Sequence, residues 1–480
     1  MKTTPARLAS VSLRAALVLL AAALVAPGAP AKEPPQNPKD LPAFGADRPL
    51  PLPAIGRSTL PNGLTVWVVP RPGFPKVSAV LAVRGGLAAD PAALPGLSSL
   101  LATTLKEGTA RRTSRRIAEE LQEIGGDLSV SASADAVYLR ASALSTGTPR
   151  LLDLLGDVAL APSFPPAEVE LAKENAVQEL EAEESTPDYL AGKAFAEAVY
   201  GGHPYRVVSA SRETIGKTTP ELLRKEHARR FRPDQALLVL SGDLDEAAAK
   251  AAAAKVFGGW RAAGEPVPPT PPVPPARPRE LLLLDRPGSV QSAVVAGRPG
   301  PAVTDPDWYD VLVANTIYAD AFGSRLVTNL REEKGYTYSP SGDLVTRRAG
   351  SLLEVQADVR NEVTAATLLE VFYELDRMAA TTPTPEELAG AKRYQAGMFL
   401  LRNQLQGAFA NALARNWVNG LPPEALGEFV PKVNAVTAEQ VKAAGRKHFL
   451  SGTQTVVVVG DAKEARPQLE LFGPVKELKH

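Results

Sequence analysis

Leu237–Asp243 (LLVLSGD) and Val456–Asp461 (VVVVGD) are continuous apolar runs that end in Gly-Asp. Each run follows a segment with helical spacing, which opens on Thr219–Leu223 (TPELL) in one case and on Thr437–Val441 (TAEQV) in the other. The two helix starts are 218 residues apart along the chain, and so are the two Gly-Asp turns. Two landmarks at one offset predict a duplicated domain. Continuous apolar runs of this length are typical of strands buried inside a sheet.

Other segments indicate what surrounds these strands. Leu64–Val69 and Val77–Val83 are short valine-rich runs next to Pro and Gly, which predicts two further strands. Ser114–Ile124 has apolar residues at helical spacing, and the acidic, alanine-rich stretch Pro166–Tyr200 predicts two helices with a break near Pro187. The sum predicts an α+β fold of two homologous lobes, in which helices cover one face of each mainly antiparallel sheet.

A proline tract separates the two copies. Gly264–Arg279 (GEPVPPTPPVPPARPR) contains eight prolines, which favour polyproline II and are not compatible with a helix or an inner strand. The tract therefore predicts a semi-rigid linker over residues 263–279. It divides the chain into an N-terminal lobe at 56–262 and a C-terminal lobe at 280–475.

The first 31 residues have the layout of a secretory signal peptide. Three basic residues precede the apolar run Ala15–Ala26, and Ala29–Ala31 offers a small-residue cleavage site. The run of 12 residues is shorter than the roughly 20 that cross a bilayer, and an uncleaved anchor is the alternative. Residues 32–55 are rich in proline and predict an extended leader. We expect a periplasmic or secreted protein with no membrane span in the mature chain.

Composition excludes several classes of function. Lysine plus arginine equals aspartate plus glutamate, 53 each, and the densest basic cluster, Arg111–Arg116, is too short to neutralise a long run of phosphates. We therefore expect no nucleic-acid partner. The chain contains no cysteine, which excludes disulfides, thiolate nucleophiles and cysteine metal sites.

One segment of the N-terminal lobe carries a family pattern. Gly96–Thr109 (GLSSLLATTLKEGT) resembles the active-site helix of the pitrilysin/insulinase (inverzincin) family of zinc metallopeptidases, whose pattern is Gly-Leu/Ala-x-His-x-x-Glu-His-x-x-x-x-Gly-Thr. The flanking Gly, Leu and Gly-Thr match. The two zinc-binding histidines of the family fall on Ser99 and Thr103, and its catalytic glutamate falls on Ala102.

These replacements remove the chemistry of the motif. Two imidazoles at positions i and i+4 of a helix share one face and bind one Zn²⁺, while the glutamate takes a proton from the metal-bound water. The hydroxyls of Ser99 and Thr103 are poor zinc ligands, and Ala102 has no group that accepts a proton. We therefore expect the chain to bind no cofactor of its own.

Two other positions match the family in the N-terminal lobe. The third zinc ligand of the family, a glutamate on the following long helix, matches Glu179. Glu179 is either a relic of that ligand or one of several solvated glutamates on an acidic helix. His203 lies in a Tyr-Gly-x-His-Pro-Tyr segment that the family shares, and we expect it to hold the turn.

The C-terminal lobe is closer to the family. Asp320–Leu326 (DAFGSRL) and Leu330–Ser339 (LREEKGYTYS) resemble its Ser-Arg-Leu helix and its Arg-Glu-x-x-Gly-x-x-Tyr segment. Gly335 predicts the end of that helix, which places Arg331 in the last turn and Tyr338 in the following strand. The resemblance implies that Arg331 and Tyr338 hold the substrate backbone and help to polarise the scissile carbonyl. A surface Arg-Glu pair and a sheet tyrosine are the alternative.

The resemblance implies two functions. Some family members work as pairs, in which one chain bears the zinc helix and the other lacks it but carries the arginine-tyrosine lobe. The first hypothesis is therefore half of a clam-shell that encloses an unfolded peptide with a zinc-bearing partner subunit of the same family. The second is a non-proteolytic binding or scaffold protein. A self-sufficient hydrolase is disfavoured, because the chain has no Gly-x-Ser-x-Gly motif and no His-x-x-x-His pair.

Overall fold

Two six-stranded sheets and their helices account for the structured part of the chain, for which a computed structural model describes residue 45 and residues 48–479. The predicted signal peptide at 1–31 lies outside the described residues, and so does most of the predicted leader at 32–55. Within the described range, no helix combines the length and the apolar character that a membrane span requires.

Each lobe contributes six strands and eight helices to the described residues. The N-terminal lobe contains β1 (Gly56–Thr59), β2 (Thr65–Pro70), β3 (Lys76–Arg84), β4 (Asp127–Ala132), β5 (Ala136–Leu144) and β6 (Ala236–Gly242), with α1 (Leu97–Thr104), α2 (Ser114–Glu123), α3 (Thr148–Leu160), α4 (Pro166–Glu184), α5 (Pro187–Tyr200), α6 (Arg212–Lys217), α7 (Pro220–Arg230) and α8 (Glu246–Phe257). The C-terminal lobe contains β7 (Glu280–Asp285), β8 (Gln291–Gly300), β9 (Ser341–Val345), β10 (Ser351–Arg360), β11 (Thr455–Gly460) and β12 (Val475–Leu478), with α9 (Trp308–Asn315), α10 (Arg325–Val327), α11 (Thr364–Ala380), α12 (Pro385–Arg402), α13 (Gln406–Val418), α14 (Ala425–Ala435), α15 (Ala438–His448) and α16 (Ala462–Leu469).

Local sequence explains several of these boundaries. Pro187 is the first residue of α5, where its missing N–H and fixed φ are tolerated, so the long acidic stretch divides into α4 and α5 as predicted. Thr384 and Thr437 begin α12 and α15 with complete capping boxes. The predicted strands over Leu64–Val69 and Val77–Val83 are β2 and β3.

The strand order confirms the duplication. The N-terminal sheet has the order β1-β2-β6-β3-β5-β4, and the C-terminal sheet has the order β12-β7-β11-β8-β10-β9. Five strands therefore repeat in the same order, with a parallel pair (β2 with β6, β7 with β11) beside three antiparallel pairs in each sheet. The prediction of an α+β fold with two homologous, mainly antiparallel lobes is confirmed. The outer strand differs, since β1 is antiparallel to β2 and β12 is parallel to β7.

The prediction that helices cover one face of each sheet is wrong, because both faces are covered. The first face of the N-terminal sheet packs against helices of its own lobe, among them α1, α3 and α8. Its second face packs against α13 of the other lobe, where Phe409 and Leu413 contact a core that includes Trp67 and Val239. The N-terminal lobe thus closes its core with a helix from the C-terminal lobe.

The C-terminal sheet has the reciprocal arrangement. Helix α5 of the N-terminal lobe lies across β8 and β11, and its Phe195 and Val199 pack against Val295 and Val457. A Cβ at Gly297 would lie 2.2 Å from the backbone oxygen of Leu353 in β10 and 2.8 Å from Cζ of Phe195, so glycine is needed where this ring meets β8. The two lobes exchange equivalent helices, and continuous apolar strands that face both sides are the sequence signal of this burial.

We predict that Phe195→Ala lowers the free energy of unfolding by about 3–5 kcal/mol, because it removes a buried ring from the core of the other lobe. Urea unfolding followed by circular dichroism measures the change. Phe74→Ala, at an exposed ring, is the matched control and should shift stability by less than about 0.5 kcal/mol. Separate unfolding of the two lobes, or equal stability of Phe195→Ala and wild type, would contradict the exchange.

Candidate functional site

Helix α1 carries three of the zinc-motif positions, two of which face outward while the third lies in the core. Ser99 is half-buried and Thr103 is exposed, while Ala102 is 2% exposed and belongs to the core of the N-terminal lobe. The Thr103 hydroxyl donates a hydrogen bond to the backbone oxygen of Ser99 over 3.0 Å. The structure therefore brings Ser99 and Thr103 together on one helix face, where a threonine hydroxyl is already engaged with the backbone.

Glu179 lies on the neighbouring helix. Leu100 of α1 packs with Leu180 of α4 in a small apolar cluster, which places the two helices side by side. Glu179 itself is exposed, and among the described residues no hydrogen bond or ion pair joins it to Ser99 or Thr103. This exposure agrees with the interpretation of a solvated carboxylate.

The residues present on α1 and α4 do not fit a zinc ion. Zinc in proteins takes imidazole, thiolate or carboxylate ligands, whereas the four motif positions offer the hydroxyls of Ser99 and Thr103, the buried methyl group of Ala102 and the exposed carboxylate of Glu179. Over residues 48–479, no group of three or more His, Asp or Glu side chains is placed to hold a metal ion.

A buried ionic network fixes the start of α1, and sequence reasoning missed it. The Arg230 side chain of α7 is fully buried, and its Nη2 lies 2.7 Å from Asp90 Oδ1 and 3.0 Å from Glu226 Oε2. Asp90 also accepts a hydrogen bond of 2.6 Å from the Ser98 hydroxyl and one of 3.1 Å from the Ser98 amide. Arg230 reaches the backbone oxygens of Gly85 and Gly86 at 3.2 Å each. The network ties α1, α7 and the glycine turn together.

The same network shifts the pKa values of its two carboxyl groups. Burial raises the pKa of Asp90 in spite of the Arg230 charge. Burial also acts to raise the pKa of Glu226, but hydrogen bonds from Arg229 and the charge of Arg230 outweigh it, so the pKa of Glu226 is lowered. No short motif contains these residues, because Asp90 and Arg230 are 140 positions apart.

In the C-terminal lobe, Arg331 lies where the sequence predicts it. Helix α10 continues as a π-helical turn over Thr328–Glu333, and Arg331 is in that last turn. Gly335 has φ +62°, and the Tyr336 amide donates to the Leu330 oxygen over 2.9 Å, which closes the helix as expected for a C′ glycine.

The predicted position of Tyr338 in a strand is wrong. Strand β9 begins at Ser341, so Tyr338 belongs to the irregular segment between the π-helical turn and the strand. Pro340 contributes to the difference, because it has no N–H to donate to a sheet ladder just before β9 begins. The loop leaves the Tyr338 side chain 78% exposed.

Arg331 and Tyr338 are nevertheless in contact, together with a third residue. The guanidinium carbon of Arg331 lies 4.5 Å from the ring centre of Tyr338 and 4.7 Å from that of Phe322, which is 65% exposed. Its Nε lies 3.1 Å from Glu332 Oε1. Stacking of this kind orients a guanidinium without using its N–H donors. Phe322 is part of the DAFGSRL segment, but the sequence alone does not indicate that its ring contacts Arg331.

Two polar residues near these segments have structural roles. Arg325 makes a two-pronged ion pair with Glu387, with N–O distances of 2.7 and 2.8 Å, and so ties α10 to the first turn of α12. His203 accepts the Tyr205 amide at Nδ1 over 3.1 Å, and its Nε2 lies 2.9 Å from the Pro271 oxygen in the proline tract. The prediction that His203 holds a turn is confirmed.

Comparison with known proteins gives consistent matches over the described fold. Residues 66–207 match the family model described as insulinase (peptidase family M16), and residues 217–394 match the one described as peptidase M16 inactive domain. An uncharacterized zinc protease of Mycobacterium leprae is 25% identical over 391 residues, which cover 81% of this chain and 88% of that protein. One of Bacillus subtilis is 23% identical, with coverage of 82% and 96%.

Solved structures agree with these matches. The crystal structure of a peptidase M16 inactive domain from Pseudomonas fluorescens superposes with a TM-score of 0.79 at 26% identity, covering 85% of this chain and 98% of that one. A protease from Helicobacter pylori has the same TM-score at 17% identity, covering 85% and 100%. The second likeness concerns the fold alone.

We predict that Arg230→Ala destabilises the protein by about 3–5 kcal/mol, because it leaves the carboxylate of Asp90 buried without its charged partner and removes one of the two arginines that pair with Glu226. Chemical denaturation measures the loss. Arg229→Ala is the matched control, since Arg229 bonds the same Glu226 from a partly exposed position and should cost less. Equal effects of the two variants would show that the buried network does not hold α1.

Proposed function

The chain belongs to family M16 of peptidases, the insulinase family, and on this premise we propose that it is the zinc-less subunit of a two-chain peptidase. In this proposal the chain contributes the lobe that carries Arg331 and Tyr338. A zinc-bearing subunit of the same family carries out the hydrolysis, and an unfolded peptide is the substrate. We also propose that the chain is exported to the periplasm or secreted, by the signal peptide expected at residues 1–31.

The contrast between the two lobes carries the proposal. In the N-terminal lobe, Ser99, Ala102 and Thr103 stand where the family pattern has its zinc-binding and proton-accepting residues. In the C-terminal lobe, the segment around Arg331 keeps its helix, its C′ glycine and its tyrosine. A chain that takes part in hydrolysis only beside a zinc-bearing subunit needs the second set of residues and not the first.

The geometry of Arg331 suits a role in binding the substrate backbone. Its guanidinium lies over the rings of Phe322 and Tyr338 and its Nε faces Glu332, so its Nη donors remain available for peptide carbonyl oxygens. The exposed Tyr338 hydroxyl can donate a further hydrogen bond. Fixed donors with a positive charge stabilise the oxyanion that develops during amide hydrolysis.

The competing function is a binding or scaffold protein that takes part in no hydrolysis. It shares the fold, the zinc-less α1 and the exposed Arg331 cluster with the first proposal. The two functions differ in one respect, since only the subunit of a peptidase makes the rate of peptide cleavage depend on Arg331 and Tyr338.

We predict that the purified chain, loaded with zinc and then washed with a chelator, retains no stoichiometric zinc. The reason is the ligand set of α1 and α4, which offers hydroxyls where imidazoles are needed. Elemental analysis of the washed protein measures the metal content. One tightly held zinc per chain would overturn this part of the proposal.

We predict that Arg331→Ala and Tyr338→Phe each slow peptide cleavage by the chain mixed with its zinc-bearing partner, by roughly 10²–10³-fold in turnover. Arg331→Lys should also fail, because an ammonium does not reproduce the planar fork of donors. The measurement is the cleavage rate of a quenched fluorescent peptide, with circular dichroism to confirm folding.

A matched control exists on the same lobe. Arg360 is an exposed arginine at the end of β10, outside the cluster, so Arg360→Ala should leave the rate unchanged. An active mixture in which the Arg331 and Tyr338 variants match wild type would remove the support for a complementing subunit and favour the scaffold.

A further inference from the structure

The proline tract between the lobes repeats with a period of three residues. Residues 268–276 read Pro-Pro-x three times in succession. A polyproline II helix has three residues per turn, so each position of the repeat forms one row along the helix. All eight prolines of the tract lie in two of these rows, one with Pro266, Pro269, Pro272, Pro275 and Pro278 and the other with Pro268, Pro271 and Pro274.

The third row faces the body of the protein. Its members are partly buried, whereas every proline of the tract except the partly buried Pro274 is exposed. Val267 lies beside Gly85, where an added Cβ would be 3.4 Å from its Cγ2, and Val273 packs against the core that α5 forms with the C-terminal sheet. The members of the third row are Val267, Thr270, Val273, Ala276 and Arg279. Burial follows the same period of three, so the two proline rows form the outward face of the tract, the proline ridge.

Both lobes hold the tract in this orientation. The Val273 amide donates to the Ala349 oxygen of the C-terminal lobe over 3.2 Å. Nε2 of His203, in the N-terminal lobe, lies 2.9 Å from the Pro271 oxygen, and the Arg277 side chain donates to the backbone at the end of α5. A partner that binds the ridge therefore meets a helix that is already ordered, which lowers the entropic cost of binding.

The proline ridge has the spacing that protein grooves recognise. Prolines three residues apart in one row give the pattern Pro-x-x-Pro, as in Pro269 with Pro272. Grooves lined by aromatic side chains, such as those of SH3 and WW domains, bind polyproline II segments of this pattern. Contact between the two sets of rings removes apolar surface from water. A spacer requires stiffness, which prolines supply in any row, whereas a docking surface requires them in the outward rows.

We propose that the proline ridge is a docking surface for a protein domain that recognises polyproline II through a groove lined by aromatic side chains. The groove packs on the two outward rows, while the third row keeps its contacts with both lobes. The surface lies outside the Arg331 cluster and α1, so the proposal does not depend on pairing with a zinc-bearing subunit.

The test is isothermal titration calorimetry of the whole chain with two probes, an isolated SH3 domain and an isolated WW domain. At least one probe should bind, and the same probe with an aromatic residue of its groove replaced by alanine should not. Replacing both Pro271 and Pro272 with alanine should weaken binding at least tenfold, because it removes one ring from each row. Pro287→Ala, at an exposed proline in the turn between β7 and β8, is the matched control and should leave binding unchanged.

A second variant and a peptide complete the test. Pro272→Glu changes one exposed ring and no residue of the third row, so it replaces the double variant if that variant fails to fold, and it should also weaken binding at least tenfold. A synthetic peptide of residues 265–277 shows whether the probe recognises the sequence when the body is absent. The proposal is overturned if neither probe binds the chain, if a probe binds the peptide but not the chain, or if the ridge variants bind as wild type does.

Discussion

The exchange of α5 and α13 between the lobes is the packing arrangement on which the rest of the structure depends. Each sheet is apolar on both faces, and its own lobe supplies helices for one of them. The other face is buried by the equivalent helix of the opposite lobe. The two lobes therefore share their cores, and the proline tract at 263–279 connects elements that packing already holds together.

The residues that hold the fold together are not those at the zinc-motif positions, so the zinc-binding side chains can be replaced while the fold is kept. The core consists of buried aliphatic and aromatic side chains, and the start of α1 is held by Arg230, Asp90 and Glu226. None of these contacts requires a metal ion. Ser99 and Thr103 lie on the outer side of α1, where a change of side chain leaves the core intact. The Arg331 cluster is likewise at the surface, so the core does not depend on it.

Much of the fold could be predicted from the sequence, because its signals are local or periodic. Continuous valine runs, the break at Pro187 and the glycine at 335 each define an element through neighbouring residues alone. The contacts that the sequence did not reveal join distant positions: α5 and α13 with the opposite sheets, Asp90 with Arg230, and Phe322 with Arg331. The prediction of a strand at Tyr338 fails because Pro340 has no N–H for the sheet ladder and β9 begins only at Ser341.

Native mass spectrometry of the chain purified from its own cells, combined with metal analysis and a peptide-cleavage assay, tests the proposed pairing with a zinc-bearing subunit. We expect a complex of this chain with a second M16 chain, one zinc per pair and peptide cleavage by the complex. Purification of a zinc-free species that contains this chain alone and cleaves no peptide would contradict it.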